Sequence, residues 1–135
     1  MIADYRFLRT LNHVTYYAHV WVQAEPAPSD IEVVNGIGPS VAEEDGEFSS
    51  ETAPAWVEAA LEGIRAAAAE LIRIGCVPNG LNVKLCRLVG SVLDTREDVV
   101  ACAAAVATWK AGCPELTPPE IVFSDDRWTV RSSAG

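Results

Sequence analysis

Basic side chains are scarce in this chain, which has 10 lysines and arginines against 19 aspartates and glutamates and a net charge of −9. Nucleic-acid phosphates are bound by clustered cations, so this balance argues against polyanion binding by the chain as a whole. The acidity is uneven: residues 24–53 carry eight acids and no base, whereas residues 54–112 carry six of each. One acidic segment therefore accounts for nearly all of the net charge.

Long apolar runs are missing as well. No stretch approaches ~18 uninterrupted apolar residues, and residues 1–14 carry scattered charges where a secretory signal would have an apolar segment. We therefore expect a cytoplasmic protein without a membrane partner. The length of 135 residues is near the commonest domain size and half of the residues are hydrophobic, which predicts one domain with one core.

The sequence has four cysteines but no Cys-x-x-Cys pair. The spacing of Cys76, Cys86, Cys102 and Cys113 is poor for a zinc finger. Disulfides are rare in the reducing compartment that we expect. We therefore predict four reduced thiols packed mostly as small hydrophobes, and we favour this interpretation over a disulfide or a metal site. No cofactor is predicted.

Alternating side chains at the start of the chain indicate β-structure. Tyr17, His19 and Trp21 alternate with small apolar residues, which predicts strands over 4–10 and 15–25 joined by a turn at 11–13. Turn-forming residues and charges then predict an exposed insertion or loop over 24–53, with a short strand at 31–34 inside it.

Helical periodicity begins after this segment. Pro54 opens a helix that Thr52 can cap, and Gly75 ends it. A strand from 81 to 89 follows, and Thr95 begins a capping box for a second helix over 96–111 that stops at Gly112. A proline-rich connector and a hairpin complete the chain over 113–135, and we expect them to pack on the body formed by 1–112. The order predicts an α+β fold with a mixed or antiparallel sheet and two helices on one face.

Catalytic motifs are missing. The sequence contains no phosphate-binding Gly-x-x-x-x-Gly-Lys motif and no Gly-x-Ser-x-Gly elbow, and no lysine accompanies Gly36 and Gly38. A catalytic triad would need His13 or His19. We instead predict that His19 is hydrogen-bonded within or at the rim of the sheet. No catalytic residue is predicted, and an enzyme with an unrecognised site is the least favoured hypothesis.

Acidic and aromatic residues suggest sites of their own. The carboxylates Glu43, Glu44, Asp45 and Glu47 lack the spacing of a calcium loop, so a solvated loop is favoured over a cation site. Trp56 is predicted to lie in the core. Trp109 and Trp128 fit either the edge of the core or an interface.

The order and spacing of these features resemble domain IV of elongation factor G, which has the ribosomal protein S5 domain 2-like fold. Residues 9–20, RTLNHVTYYAHV, stand where that family has an arginine, a glycine-rich loop and Tyr-Gly-His-Val. The helical Gly63-Ile64, the helix-ending Gly75, Val89-Gly90-Ser91 and Asp94-Thr95 also match the pattern. The resemblance runs from about residue 5 to residue 110, with a weaker echo to 130.

The resemblance implies a stand-alone copy of a non-catalytic arm whose tip loops enter the decoding region of the small ribosomal subunit. The matching loop tips are Asn12 and His13 in one loop and Val92 and Leu93 in the other. Both tips depart from the family, because the glycine-rich loop is replaced and the second loop is shorter and lacks the family's histidine. The candidate RNA-facing cations in this sequence are Arg6, Arg9, Lys84 and Arg87.

Two functional hypotheses follow. The first is a non-enzymatic binding module in which Glu43, Glu44, Asp45 and Glu47 dock a protein partner with a basic surface. For this acidic segment the alternative is that it only keeps the protein soluble. The second hypothesis is a ribosome- or RNA-associated factor that uses the four cations named above. Neither hypothesis involves a small-molecule substrate.

Overall fold

Six strands and two helices make up the part of the chain that this computed structural model describes, residues 1–39, 41–42 and 45–131. The strands are β1 (Ile2–Leu11), β2 (Val14–Ala27), β3 (Asp30–Asn35), β4 (Gly80–Val89), β5 (Glu120–Ser124) and β6 (Arg127–Arg131). The helices are α1 (Pro54–Arg73), between β3 and β4, and α2 (Glu97–Gly112), between β4 and β5. This order is the predicted one.

Strands β1 to β4 form a mixed sheet in the order β1-β2-β4-β3. The strands β1, β2 and β4 pair antiparallel, whereas β3 runs parallel to β4. The turn between β1 and β2 consists of Asn12 and His13, both with positive φ (52° and 66°), as tight hairpin turns require. Strands β5 and β6 form a separate hairpin. The α+β fold with a mixed sheet is thus confirmed.

One face of the sheet carries the hydrophobic core. Alternate side chains of β2, among them Val20 and Val22, are fully buried, as are Phe7 of β1 and Leu85 of β4. Both helices contact this face. The β5–β6 hairpin packs on it too, because the ring of Trp128 meets that of Phe7 edge-on with centroids 5.1 Å apart. We call this surface the covered face.

Helices α1 and α2 pack side by side through small residues. A Cβ atom added to Gly63 would lie 2.3 Å from the carbonyl oxygen of Ala101, so the backbones approach too closely for any larger residue there. Near the ends of the two helices, a Cβ atom on Gly112 would lie 2.9 Å from the Leu71 side chain. The two helices therefore end on the same side of the molecule.

The helix starts correct the predicted caps. Neither helix has a side-chain cap, and the N-cap residues are Ala53 and Arg96. The Thr52 hydroxyl instead accepts a hydrogen bond from the Ser49 backbone N–H (2.9 Å), and the Thr95 hydroxyl donates to the Tyr17 carbonyl (2.6 Å). Thr52 thus binds the segment before α1, and Thr95 binds strand β2 rather than its own helix. The predicted end of α1 is confirmed by Gly75, which follows the helix with φ +83°.

The expectation of one exposed loop over 24–53 holds only in part. Ala24 and Ala27 are buried in β2, and β3 completes the sheet. Further along, the Phe48 backbone N–H donates to the carbonyl of Leu88, and Ser49 is fully enclosed. The segment has apolar residues between its acids, and these residues hold it against the sheet. Ser40, Glu43 and Glu44 lie outside the described residues.

The tryptophans occupy different depths. Trp109 and Trp128 are both buried and belong to the core, which decides between the two positions expected for them. Trp56 is only half-buried and meets Phe48 edge-on at 4.7 Å, so its predicted core position is confirmed only at the margin.

The prediction of four reduced thiols is wrong for two cysteines. Cys76 and Cys113 form a disulfide, because the side-by-side packing of α1 and α2 brings together two positions 37 residues apart. Cys86 and Cys102 are free. Burial raises the pKa of Cys102 to about 12, and the neighbouring Asp98 adds to the shift. Neither helix of the described ranges has the length and hydrophobicity needed to cross a bilayer.

Candidate functional site

The second face of the four-stranded sheet lies opposite the helices and is the candidate functional surface. Pairing places Asp4 beside Trp21, Arg6 beside His19 and Leu8 beside Tyr17. Across β2 and β4, Trp21 pairs with Arg87 and Gln23 with Lys84. We call this surface the open face; its central residues are Asp4, Arg6, Leu8, Tyr17, His19, Trp21, Gln23, Lys84 and Arg87.

An aromatic and cationic cluster occupies the middle of the open face. The rings of His19 and Trp21 stack with centroids 3.7 Å apart and planes 15° from parallel. The His19 Nε2 atom lies 2.6 Å from the Asp4 carboxylate, and the Arg87 guanidinium lies 4.6 Å from the centre of the Trp21 ring. The predicted hydrogen bond of His19 within the sheet is confirmed. We call these four residues the Trp21 cluster.

The acidic segment reaches the open face through Glu47. The Arg87 Nε–H donates to Glu47 Oε1 (2.6 Å), and the other carboxylate oxygen of Glu47 accepts from the Ala42 backbone N–H (3.3 Å). Glu47 also forms a β-bridge with Val89. Of the four acids predicted to dock a partner, Glu47 is thus bound within the chain and Asp45 is exposed. Glu43 and Glu44 lie outside the described residues.

The structure brings together three of the four candidate RNA-facing cations. Arg6, Lys84 and Arg87 all lie on the open face, and Arg6 stands 6.0 Å from the ring of Tyr17. Arg9 is an odd number of residues from Arg6, so strand alternation places it on the covered face. There its guanidinium lies 5.6 Å from the ring of Trp128 and donates to the Ile121 carbonyl (3.4 Å).

The loop tips lie at one end of the sheet. Asn12 and His13 form the β1–β2 turn, and the loop after β4 is held to β2 because the Tyr17 N–H donates to the Asp94 carbonyl (3.1 Å). Val92 and Leu93 in that loop are 79% and 93% exposed.

Sequence reasoning missed Trp21 as a candidate functional residue. Periodicity places it on a strand but cannot show that the helices cover the opposite face. A signal was present in the pattern, because Tyr17, His19 and Trp21 put three aromatic rings on one side of the strand.

A second acidic surface was also missed, because its residues come from three separate segments. An open cleft of about 930 Å³ lies between the starts of α1 and α2 and the β5–β6 turn. Its acidic lining is Glu58, Glu62, Glu97, Asp98, Asp125 and Asp126. Burial alone would lower the pKa of Arg96 in this cleft, but its hydrogen bonds to Asp98 and the charge of Asp126 raise it.

Side chains that could bind a metal ion lie close together at one further place. Among the described residues, the one group of three potential metal ligands is Cys76, Cys113 and Glu115, whose ligand atoms lie within 4.8 Å of one another. The histidines of the described ranges make no side-chain hydrogen bond to a serine or a cysteine, so no nucleophile–base pair is formed there. Nothing in this geometry points to catalysis.

Comparisons with known proteins bear on the fold. No protein-family model and no curated protein matches the sequence. The structure is similar to the crystal structure of ttk003000868 from Thermus thermophilus, with a TM-score of 0.56 and 20% identity over 81% of this chain. This chain spans only 15% of the length of that protein. At this identity the likeness shows a shared fold and nothing about activity.

Proposed function

We propose that this chain is a non-enzymatic, cytoplasmic binding module. Its open face and acidic segment bind a protein partner that has a basic surface. The Trp21 cluster is the observation that carries the proposal. Energetically dominant residues of protein interfaces are enriched in tryptophan, tyrosine and arginine. Here Trp21, Tyr17 and Arg87 lie together on a sheet face that the helices leave uncovered.

The charges around the cluster favour a basic partner. On the open face and its margin, Arg87 is engaged by Glu47 and His19 by Asp4. Glu25 and Glu32 extend the acidity along the β2, β4 and β3 strands, where they flank a shallow cleft with Lys84. Complementary charge speeds encounter and selects partners more than it adds affinity. The partner's aromatic or aliphatic contacts with Trp21 would supply most of the affinity.

A capture experiment with matched variants tests the docking surface. Proteins retained by the wild-type chain from a lysate should be lost with Trp21→Ala and kept with Arg65→Ala, an exposed change on α1. A purified partner should then bind Trp21→Ala at least about tenfold more weakly, as expected for a central interface residue. Equal binding of both variants would contradict the proposal.

The acidic segment needs its own test. Glu43→Gln, Glu44→Gln and Asp45→Asn together should weaken binding and reduce its salt dependence, because the acidic segment loses three charges. Glu47 is left unchanged in this variant because it binds Arg87 within the chain. The matched control neutralises Glu58, Glu62 and Asp125, which line the cleft at the helix starts. A loss of binding in the control alone would place the partner at that cleft and overturn the proposed surface.

A ribosome- or RNA-associated role is the second candidate. It is favoured by the pairing of cations with aromatic rings, Arg87 with Trp21 and Arg6 with Tyr17, since bases stack on such surfaces. The resemblance to domain IV of elongation factor G belongs to this candidate. Cosedimentation with 30S or 70S particles at low salt should then depend on Arg6 and Arg87 and not on Arg65. Absence of enrichment would end this candidate.

The cytoplasmic location can be tested on the cysteines. Disulfides are rare in the cytosol because thioredoxin and glutathione keep thiols reduced. A cytoplasmic location therefore predicts that the disulfide seen between Cys76 and Cys113 is opened in the cell, and rapid alkylation of intact cells should then find both residues mainly as thiols. A persistent disulfide between them would argue for an oxidising compartment.

A further inference from the structure

The ends of the two helices form a corner that the proposed docking function does not use. Cys113 directly follows α2, and Cys76 lies three residues beyond the end of α1. Glu115 follows two residues after Cys113, and its Oε1 atom lies 3.6 Å from the Cys113 sulfur. Two sulfurs and a carboxylate thus converge from two separate parts of the chain.

The corner is accessible from solvent. The three residues line an open cleft of about 410 Å³ together with Arg73, Ile74, Gly75 and Leu116, and the charge of Arg73 is paired with Glu70. Cys113 is buried, Cys76 is half-buried and Glu115 is exposed. An ion can therefore reach ligands whose inner side is shielded from water.

We propose that reduction of the Cys76–Cys113 disulfide converts this corner into a binding site for a thiophilic divalent cation of the Zn²⁺ class. A dithiol reductant would supply two electrons and two protons, giving two thiols and the oxidised, cyclic reductant. Binding of the cation then displaces the two thiol protons, and the Glu115 carboxylate becomes the third ligand. Water completes the tetrahedral set that Zn²⁺ prefers.

The distances suit this chemistry. Two thiolates at Zn–S distances of about 2.3 Å in tetrahedral geometry lie about 3.8 Å apart. The ligand atoms of Cys76, Cys113 and Glu115 already lie within 4.8 Å of one another, and the Cα atoms of the cysteines are 6.5 Å apart. Opening the disulfide and inserting a cation therefore requires side-chain rotation rather than movement of the helices.

The backbone around the corner favours a cation and holds the ligands in place. Both helices end there, and helix C-termini carry partial negative charge. The Cys76 N–H donates to the Leu71 carbonyl (3.1 Å), and the Cys113 N–H donates to the Trp109 carbonyl (2.8 Å). Each cysteine is thus anchored to its own helix whether or not the disulfide is present.

The other cysteines provide internal controls. Burial keeps the pKa of Cys102 at about 12, so its thiolate is not available near neutral pH. Cys86 lies on β4, where its sulfur faces the carbonyl of Lys84 at 3.5 Å. Substitution of Cys86 or Cys102 should therefore leave Zn²⁺ binding at the corner unchanged.

Zinc binding to the full chain tests the proposal. Zn²⁺ alone is titrated against a chromogenic indicator, with protein first reduced by a phosphine and then freed of it, and with oxidised protein in parallel. The reduced chain should bind about one Zn²⁺, and the oxidised chain should bind at least about 100-fold more weakly because it offers no thiolate at the corner. Co²⁺ in place of Zn²⁺ should give thiolate-to-metal charge-transfer absorption only in the reduced chain.

Variants locate the ion. Cys113→Ser should abolish the charge-transfer band, and Glu115→Gln should weaken Zn²⁺ binding about tenfold or more, whereas Cys86→Ser and Glu120→Gln should change neither. Because Glu115 is exposed, its variant should fold, and it therefore tests Zn²⁺ binding even if a cysteine variant does not fold. The proposal is overturned if the reduced chain binds no Zn²⁺, if oxidation leaves binding unchanged, or if Cys86→Ser removes it. None of these outcomes bears on docking at the open face.

Discussion

The two faces of the four-stranded sheet are built from alternate residues of the same strands, yet they differ in every physical respect. On the covered face, Phe7, Val20 and Leu85 are wholly excluded from water. On the open face, Leu8 is half exposed and Trp21 is held by a stacked histidine and an arginine. The covered face is a generic apolar surface, whereas the open face has a specific arrangement of rings and charges.

This difference suggests a division of roles, in which the covered face stabilises the fold and the open face carries the proposed binding. Burial of apolar area dominates the free energy of folding, so the residues of the covered face are constrained by packing. The Trp21 cluster makes stacked, cation–π and ion-pair contacts at a partly solvated surface, and each of these contributes little to folding. This small contribution to folding agrees with the binding role that we propose for the cluster. Changes there should therefore alter binding without unfolding the protein.

The largest expected effect comes from two neighbouring residues of β1. Phe7→Ala should lower the free energy of unfolding by about 3–5 kcal/mol, because it removes a fully buried ring that packs on Trp128. Leu8→Ala, one residue further and on the open face, should change it by less than about 1 kcal/mol. Urea unfolding followed by tryptophan fluorescence measures both. Similar losses for the two variants would show that the open face is covered in solution.

A smaller loss in the free energy of unfolding is expected where the two helices contact each other on the covered face. Gly63→Ala should destabilise the protein by about 1–3 kcal/mol, because the new methyl group would meet the Ala101 carbonyl oxygen, which belongs to a helix backbone and cannot rotate away. Gly38→Ala is the matched control, since nothing lies within 4 Å of a Cβ atom at that position. Chemical denaturation should show a lower midpoint for the first variant alone; an unchanged midpoint would mean that the helices pack less closely.

The fold was predictable because its signals are local. Alternation along residues 15–25 is sufficient to place β2 and to assign His19 and Trp21 to one face, and the glycine at 75 marks the end of α1. The predicted helix caps were wrong because Thr52 and Thr95, although good cap residues, form hydrogen bonds elsewhere. A hydroxyl has several acceptors within reach in the folded state, and only the tertiary structure selects among them.

The candidate site was less predictable because it depends on register. Simple alternation along β4, continued from the buried Leu85, would place Arg87 on the covered face, but a bulge opposite Trp21 and Val22 shifts the pairing and sets Arg87 beside Trp21. Neither glycine nor proline marks this bulge in the sequence around Arg87. The Cys76–Cys113 pair is equally hidden, since it depends on how two helices pack.

The ion pair that ties the acidic segment to the open face should contribute less than either core change. A double-mutant cycle with Glu47→Ala and Arg87→Ala should give a coupling of about 0.2–1 kcal/mol, because both side chains remain partly exposed to solvent. The coupling should shrink in about 1 M salt, where charges are screened beyond about 3 Å. Measured unfolding free energies of the four proteins give the value. A coupling that is large and insensitive to salt would mean that the pair is buried by a further contact.

The smallest effect on the free energy of unfolding should come from the Glu70–Arg73 ion pair on α1. This pair serves as a reference for the Glu47–Arg87 pair at the open face. The hydrogen bond from Arg73 lowers the pKa of Glu70 below its ordinary value of 4.5. A carboxylate whose pKa is lower in the folded state stabilises the protein above its unfolded pKa and loses that contribution as the pH falls through the folded value. The stability difference between wild type and Glu70→Gln should therefore be present near pH 7 and be lost as the pH falls below 4.5 and through the lower folded-state pKa. Glu62→Gln on the same helix is the matched control, because Glu62 joins no ion pair among the described residues. Urea unfolding across this pH range compares the three proteins, and an equal pH dependence of both differences would exclude the Arg73 contact as its cause.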